Sequence, residues 1–292
     1  MIYFDNAAST AVHPEVVKEM TPYFDIQYGN PSSIHQFGRK AKNAIQKARK
    51  QVAALIGAEP DEILFTSGGT ESNNTILYGI PKLHEITHVD FDIGNNHAIT
   101  SSIEHEAILE PCKKLEEMGF KVTYISVDEY GAVDSNSIAD SITENTVLVS
   151  IMFANNEVGT IQPIKEISEI CKKYQVPLHT DAVQAVGKIP INVKDLGIDA
   201  LSISSHKING PKGVGALFIK KDLIVYPEIL GGGQENGMRS GTENVASIVG
   251  FGKACEIAKE RLNENISHFQ TLHSSMLSKI IKEGLSLMER EG

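Results

Sequence analysis

Through the first 220 residues, short apolar and β-branched runs alternate with stretches whose apolar positions recur every three or four residues. That alternation restricts the chain to a mainly parallel sheet covered by helices. The expected strands are Glu62–Thr66, His97–Ile103, Val122–Val127, Val147–Met152, Val176–Thr180, Ala200–Ser204 and Val214–Ile219. The last follows its predecessor after a turn shorter than the dozen or so residues a parallel crossover needs, so it pairs antiparallel. The expectation is an α/β fold: a seven-stranded sheet, parallel except for one strand, with helices on both faces.

Helical stripes fill the gaps. Ala41, Ala44, Ile45, Ala48, Val52 and Leu55 share one face of a helix, and Ile164, Ile167, Ile170 and Tyr174 share another. Pro111 interrupts the pattern after His105, so the helix there is expected to begin near Glu110 or to kink. From Glu243 onward, Val245, Ile248, Phe251, Cys255, Ala258, Leu262, Ile266, Phe269, Leu272, Met276 and Ile280 predict one long helix leaving the sheet. The expected division is an N-terminal arm (1–14), a large domain (15–250), and a linking helix with the start of an incomplete small domain (251–292). A helix ending without strands to cover it predicts exposed apolar surface near Ile266, Phe269, Met276 and Ile280.

A formal charge of −10 and a pI near 5.5, without a Lys/Arg cluster, argue against a nucleic-acid or anionic-membrane surface. The start Met1-Ile-Tyr-Phe-Asp-Asn is not that of a signal peptide, and no apolar run approaches the roughly 18 residues of a membrane span. A cytoplasmic protein is expected. Cys112, Cys171 and Cys255 are far apart and lack metal spacing, which predicts three small apolar helix residues rather than a disulfide framework or a zinc site.

The chemistry concentrates in two segments. Lys207 ends the run Leu201-Ser-Ile-Ser-Ser-His-Lys, where burial can leave its amine neutral enough to form a Schiff base with an aldehyde. Asp181 follows Val176-Pro-Leu-His-Thr180 and is placed to partner a pyridinium nitrogen. Together they read as a pyridoxal 5'-phosphate site. Thr66-Ser-Gly-Gly-Thr70 lies between a strand and a helix, where Gly69 and Thr70 read either as a plain helix cap or, in the company of Lys207 and Asp181, as a phosphate cup.

Those segments and seven others, among them Tyr3-Phe-Asp-Asn-Ala-Ala, Gly29-Asn-Pro-Ser-Ser-Ile-His35, Ser102-Ile-Glu-His105, Asn155-Asn-Glu-Val-Gly159 and Arg239-Ser-Gly-Thr242, occur in order along nearly the whole chain. In them the chain resembles the class V aminotransferase branch of fold-type I pyridoxal phosphate enzymes, and within it the NifS/IscS-type cysteine desulfurases. The resemblance implies a fold-type I transferase with a truncated small domain. It implies that Lys207 bonds the cofactor, Asp181 pairs with its ring nitrogen and His105 stacks on its ring. Gln184 and Asn156 would hold the ring oxygen, while Thr70, Ser204 and His206 would bind phosphate. Thr242 would reach the phosphate of a neighbouring subunit, which implies a homodimer.

The implied reaction takes L-cysteine to L-alanine and leaves sulfur as a persulfide for an iron–sulfur scaffold or another acceptor. In the family the attacking cysteine and a carboxylate-binding arginine come from the C-terminal domain, and both would lie beyond Gly292. None of the three cysteines aligns with that loop, so the expectation is a truncated desulfurase that holds its cofactor and lacks its nucleophile. The alternatives are another class V enzyme, such as a selenocysteine lyase or an aminotransferase, and a non-catalytic cofactor-binding or assembly protein.

Overall fold

The computed structural model describes residues 2–87 and 96–288. Seven strands form one sheet: β1 (Ile63–Thr66), β2 (His97–Ser101), β3 (Lys121–Ile125), β4 (Thr146–Ser150), β5 (Leu178–Asp181), β6 (Ala200–Ser204) and β7 (Gly215–Ile219). Their order is β1-β7-β6-β5-β4-β2-β3. β7 pairs antiparallel with both β1 and β6, and the other pairings are parallel. The expected sheet is therefore present, with each strand shorter than its apolar run at one or both ends, except Ala200–Ser204, which matches.

Alternate residues of each buried strand feed different cores, as a period of two requires. Leu64, Leu148, Ala200 and Leu217 join one cluster, while Phe65, Val149, Leu201 and Ala216 join the other. The helices are α1 (Pro14–Met20), α2 (Pro22–Asp25), α3 (Gln36–Ile56), α4 (Gly69–Thr87), α5 (Glu106–Glu117), α6 (Ser135–Ser141), α7 (Ile164–Tyr174), α8 (Val193–Leu196), α9 (Val245–Glu260) and α10 (Leu262–Met288). α4 and α5 cover the first cluster; α3, α6, α7 and α9 cover the second.

α3 presents the stripe its spacing predicts, with Ala41, Ile45, Ala48, Val52 and Leu55 buried. In α7, Cys171 takes the buried place after Ile167, and Tyr174 is exposed at the C-terminus of the helix. α5 begins at Glu106, not near Glu110, because His105 caps it by accepting the Ala107 N–H on Nδ1; the helix then runs through Pro111. The long C-terminal helix is two helices separated at Arg261, whose backbone leaves the helical region. Phe251, Ala254 and Cys255 of α9 are core residues. On α10, Phe269, Met276 and Ile280 are more than half exposed and Ile266 is half-buried.

α9 lies against α3 at an approach only glycine permits. A Cβ on Gly252 would fall 2.6 Å from Ala48 Cα. Helix propensity alone favours Gly252→Ala by about 1 kcal/mol, whereas forcing a methyl into a filled contact costs about 1–3 kcal/mol. We expect the substitution to lower the denaturant midpoint with an unchanged m-value. A raised midpoint would mean that the helices part without cost.

Candidate active site

Parallel strands deliver their C-terminal ends to one edge, and the candidate site lies there. A cavity of about 510 Å³ is lined by Asp181 from the end of β5, Ser204 from the end of β6, and His206 and Lys207 from the turn that follows. Gly69 and Thr70 at the start of α4, together with Asn73, form another wall. His105, Asn156 and Gln184 also line it. Thr242 does not, and is exposed on the segment before α9. A wider hollow of about 620 Å³ opens at the opposite ends of the strands. In its lining Lys220 pairs with Asp199 at 2.9 Å, and every site residue expected from the sequence except Thr242 lines the smaller cavity instead.

Asp181 is buried and, among the described residues, receives neutral donors: the Val183 N–H on Oδ1 at 3.0 Å and the Asn73 amide on Oδ2 at 2.7 Å. Burial raises its pKa against those bonds and against the influence of the nearby His105 and Lys207 side chains. Such a carboxylate favours a further cationic hydrogen-bond donor. Beneath it His179 is fully buried and bridges three strands, Nδ1 to Ser150 Oγ at 2.8 Å and Nε2 to Ser202 Oγ at 3.0 Å. Burial pushes its pKa down to about 3, so the ring is neutral.

Lys207 donates to the carbonyls of Ala7 and Ala8, the latter at 3.0 Å. Burial lowers its pKa, opposed by Asp181 and Asp5. The arm that covers it is laced to the turn after β6: Thr10 Oγ1 donates to the His206 carbonyl at 2.7 Å and accepts the Asn209 N–H at 2.8 Å. His206 also meets Ser9 Oγ at 3.2 Å, and burial followed by three nearby lysines lowers its pKa. Asn156 is engaged with Glu157 at 2.7 Å.

At the start of α4, the first N–H groups lack intrahelical acceptors. A Cβ on Gly69 would lie 2.7 Å from Val183 Cγ2, so glycine lets the helix start abut the wall that carries Asp181. Glu71, in the first turn, accepts the Ser67 N–H at 2.9 Å and Arg239 Nε at 2.9 Å. Burial would raise Glu71, but these hydrogen bonds outweigh it and hold its pKa below the usual range. A second arginine clamp ties the same loop to the sheet: Arg49 grips Glu235 through both nitrogens, at 2.6 and 2.9 Å, and Glu235 also accepts the Phe65 N–H at 3.0 Å.

Glu104, adjacent to His105, is buried and accepts from Ser101 Oγ at 2.6 Å and from the Met152 N–H at 2.8 Å. Burial pushes its pKa up to about 8, with the Asp181 charge adding to the rise. The supports Asn73, Glu104, Glu71 and Arg239 were not expected from the sequence, although Glu104 and Arg239 lie inside motifs quoted for the resemblance. The arm's contact with Lys207 has no local sequence signal.

This fold and site define an α/β enzyme with a lysine and an aspartate facing one polar cavity beside a helix N-terminus. The aminotransferase class-V profile matches residues 2–289, and the chain belongs to that family. It is 49% identical over 281 residues to the cysteine desulfurase IscS of Dictyoglomus turgidum, a match covering 96% of this chain and 70% of that protein. Against the cysteine desulfurase IscS of Methanosarcina thermophila it is 50% identical over 281 residues, covering 96% and 68%. Among solved structures, a NifS-like protein superposes with a TM-score of 0.91 at 45% identity, over 96% of this chain and 76% of that one. The structure of SspA in complex with cysteine gives 0.83 at 42% identity, over 88% and 72%. Among the described residues, no helix is long and apolar enough to cross a membrane.

The buried groups give two expectations. Arg49→Met leaves Glu235 charged and unpaired, its side chain only 5% exposed, and should cost about 3–5 kcal/mol. The double change Arg49→Met/Glu235→Met should cost less than the two single changes added, as a denaturation cycle would show; additive costs would mean that the pair is uncoupled. Glu104, with a folded pKa of about 8 against an ordinary 4.5, contributes stability that is complete below the lower value. That contribution is lost as pH rises through the upper one. Relative to Glu104→Gln, the parent chain should lose up to about 1.4 kcal/mol per pH unit across this window. Parallel stability curves would contradict the assignment.

Proposed function

We propose that the chain is a pyridoxal 5'-phosphate-dependent cysteine desulfurase, acting on L-cysteine to give L-alanine and a persulfide. The observation that carries this reading is the convergence of Lys207, Asp181 and the start of α4 on one cavity. The residues fit the cofactor. Asp181 is a buried carboxylate with neutral donors only, Lys207 is an amine of lowered pKa, and Gly69 sits where a Cβ would strike the cavity wall.

When bound, the cofactor supplies an aldehyde for covalent attachment and a protonated pyridine ring as an electron sink. Lys207 would hold it through Nζ, then take the Cα proton of cysteine as a partly desolvated base. Asp181 would keep the proton on the ring nitrogen, a role for which a buried carboxylate without a cation of its own is suited. His105, whose Nδ1 accepts the Ala107 N–H, would be fixed at the ring face with its proton on Nε2. Thr70, Ser204, His206 and the first N–H groups of α4 would bind the phosphate, and Asn156 and Gln184 would approach the ring oxygen.

The overall reaction balances without an oxidant. The cysteine C–S bond breaks as an S–S bond forms to a thiol, and Cβ gains a proton. The thiol is not one of the chain's three cysteines, which are all buried and lie outside the cavity. Burial pushes Cys112 and Cys171 up to about 12 and Cys255 well above its ordinary value. Sulfur would pass to an acceptor such as an iron–sulfur scaffold.

The reading includes a homodimer. Phe24, Ile26, Tyr28 and Ile34 are two-thirds or more exposed, an apolar stretch a second copy would cover, and Thr242 outside its own cavity would serve the partner's. It also includes the division into an arm (1–14), a large domain (15–250) and a linking helix with the start of a small domain (251–292); the helix break at Arg261 falls within the last of these.

The test is alanine formation from L-cysteine with pyridoxal 5'-phosphate and dithiothreitol, using Lys207→Ala as the blank. Alanine above the blank, unchanged when all three cysteines become serine, is expected. Alanine no higher than the blank with thiol present would refute the reading.

A further inference from the structure

Lys188 has no part in the chemistry described so far, yet it stands directly behind a residue that does. It lies in the turns that follow β5, one helical turn beyond Gln184, in the wall of a neighbouring cavity of about 450 Å³ that Lys207 also lines. Its Nζ donates to Gln184 Oε1 at 2.6 Å. The other end of the same amide, Nε2, donates to the Ala7 carbonyl at 2.9 Å, beside the point where Lys207 donates.

An ammonium or an amine on Nζ offers protons, whereas an amide offers a donor at one end and an acceptor at the other. Which way an amide points is set by its partners. With Lys188 behind it, the Gln184 oxygen must face the lysine and the NH2 must face the arm and the cavity. We propose that Lys188 is a positioning residue that fixes the polarity of Gln184, so that a donor and not a carbonyl is presented to the acceptor oxygen on the cofactor ring. This inference rests on the proposed function. The site around Lys188 is crowded with positive charge: burial, then the charge of Lys207, pushes Lys188 down to about 8, and His206 is lowered in part by Lys188 itself. Among the described residues, Gln184 Oε1 is the acceptor that holds the side chain in place.

The test is equilibrium binding of pyridoxal 5'-phosphate and of 3-deoxypyridoxal 5'-phosphate, which lacks the ring oxygen. Lys188→Met should weaken binding of the first about tenfold, the loss expected of one hydrogen bond. It should leave the second within about twofold, and Lys188→Arg should restore the first. In a Gln184→Leu background the lysine change should add nothing. Should Lys188→Met fail to fold, Lys188→Gln takes its place, since a glutamine there can accept as well as donate and leaves Gln184 free to turn. Equal losses for the two ligands, or no loss, would overturn the inference while the cofactor reading stands. A parent chain that binds neither ligand would overturn both.

Discussion

Asp181 brings a carboxylate to a buried position at the end of β5, where, among the described residues, two neutral N–H groups are its hydrogen-bond donors. The surroundings are organised to tolerate that. His179 below it is kept neutral and spans β4, β5 and β6 through serine hydroxyls, so the strands that frame the carboxylate cannot shift independently. Glu104, a second buried acid nearby, is raised far enough to carry its proton at neutral pH, which spares the site a second charge.

Around that centre, long-range contacts do what local sequence cannot. The N-terminal arm returns across the turn after β6 and gives Lys207 its two carbonyl partners. Two arginine–glutamate clamps hold the segment 235–239 between the helix α3, the strand β1 and the first turn of α4. The same segment leads to Thr242, so its rigidity bears on whatever Thr242 meets. Placing these pairs at half-buried positions makes them costly to break, since each partner would be left charged in low dielectric.

The sheet was legible because its strands are bounded apolar runs with a period of two, and the antiparallel β7 because its connection is too short for any other pairing. Lys207, Asp181 and Gly69 were legible because each sits at a strand end where chemistry is exposed. Other features were not. Pro111 reads as a helix breaker, but it lies in the second turn of α5, where His105 has already set the start. Tyr174 continues a spacing of three and four, yet the helix ends there and its ring reaches solvent. The break at Arg261 leaves no mark on an apolar pattern that continues in phase across it. Lys188 looks like a surface charge until the arm and Gln184 are placed around it.

In the proposed function Lys207 and Asp181 engage opposite functional ends of one ligand. A crystal structure of this chain grown with pyridoxal 5'-phosphate measures it directly. The expected result is continuous density from Lys207 Nζ to the cofactor, with its ring nitrogen within hydrogen-bonding distance of Asp181. Cofactor bound elsewhere, or bound here with its ring nitrogen turned away from Asp181, would contradict it.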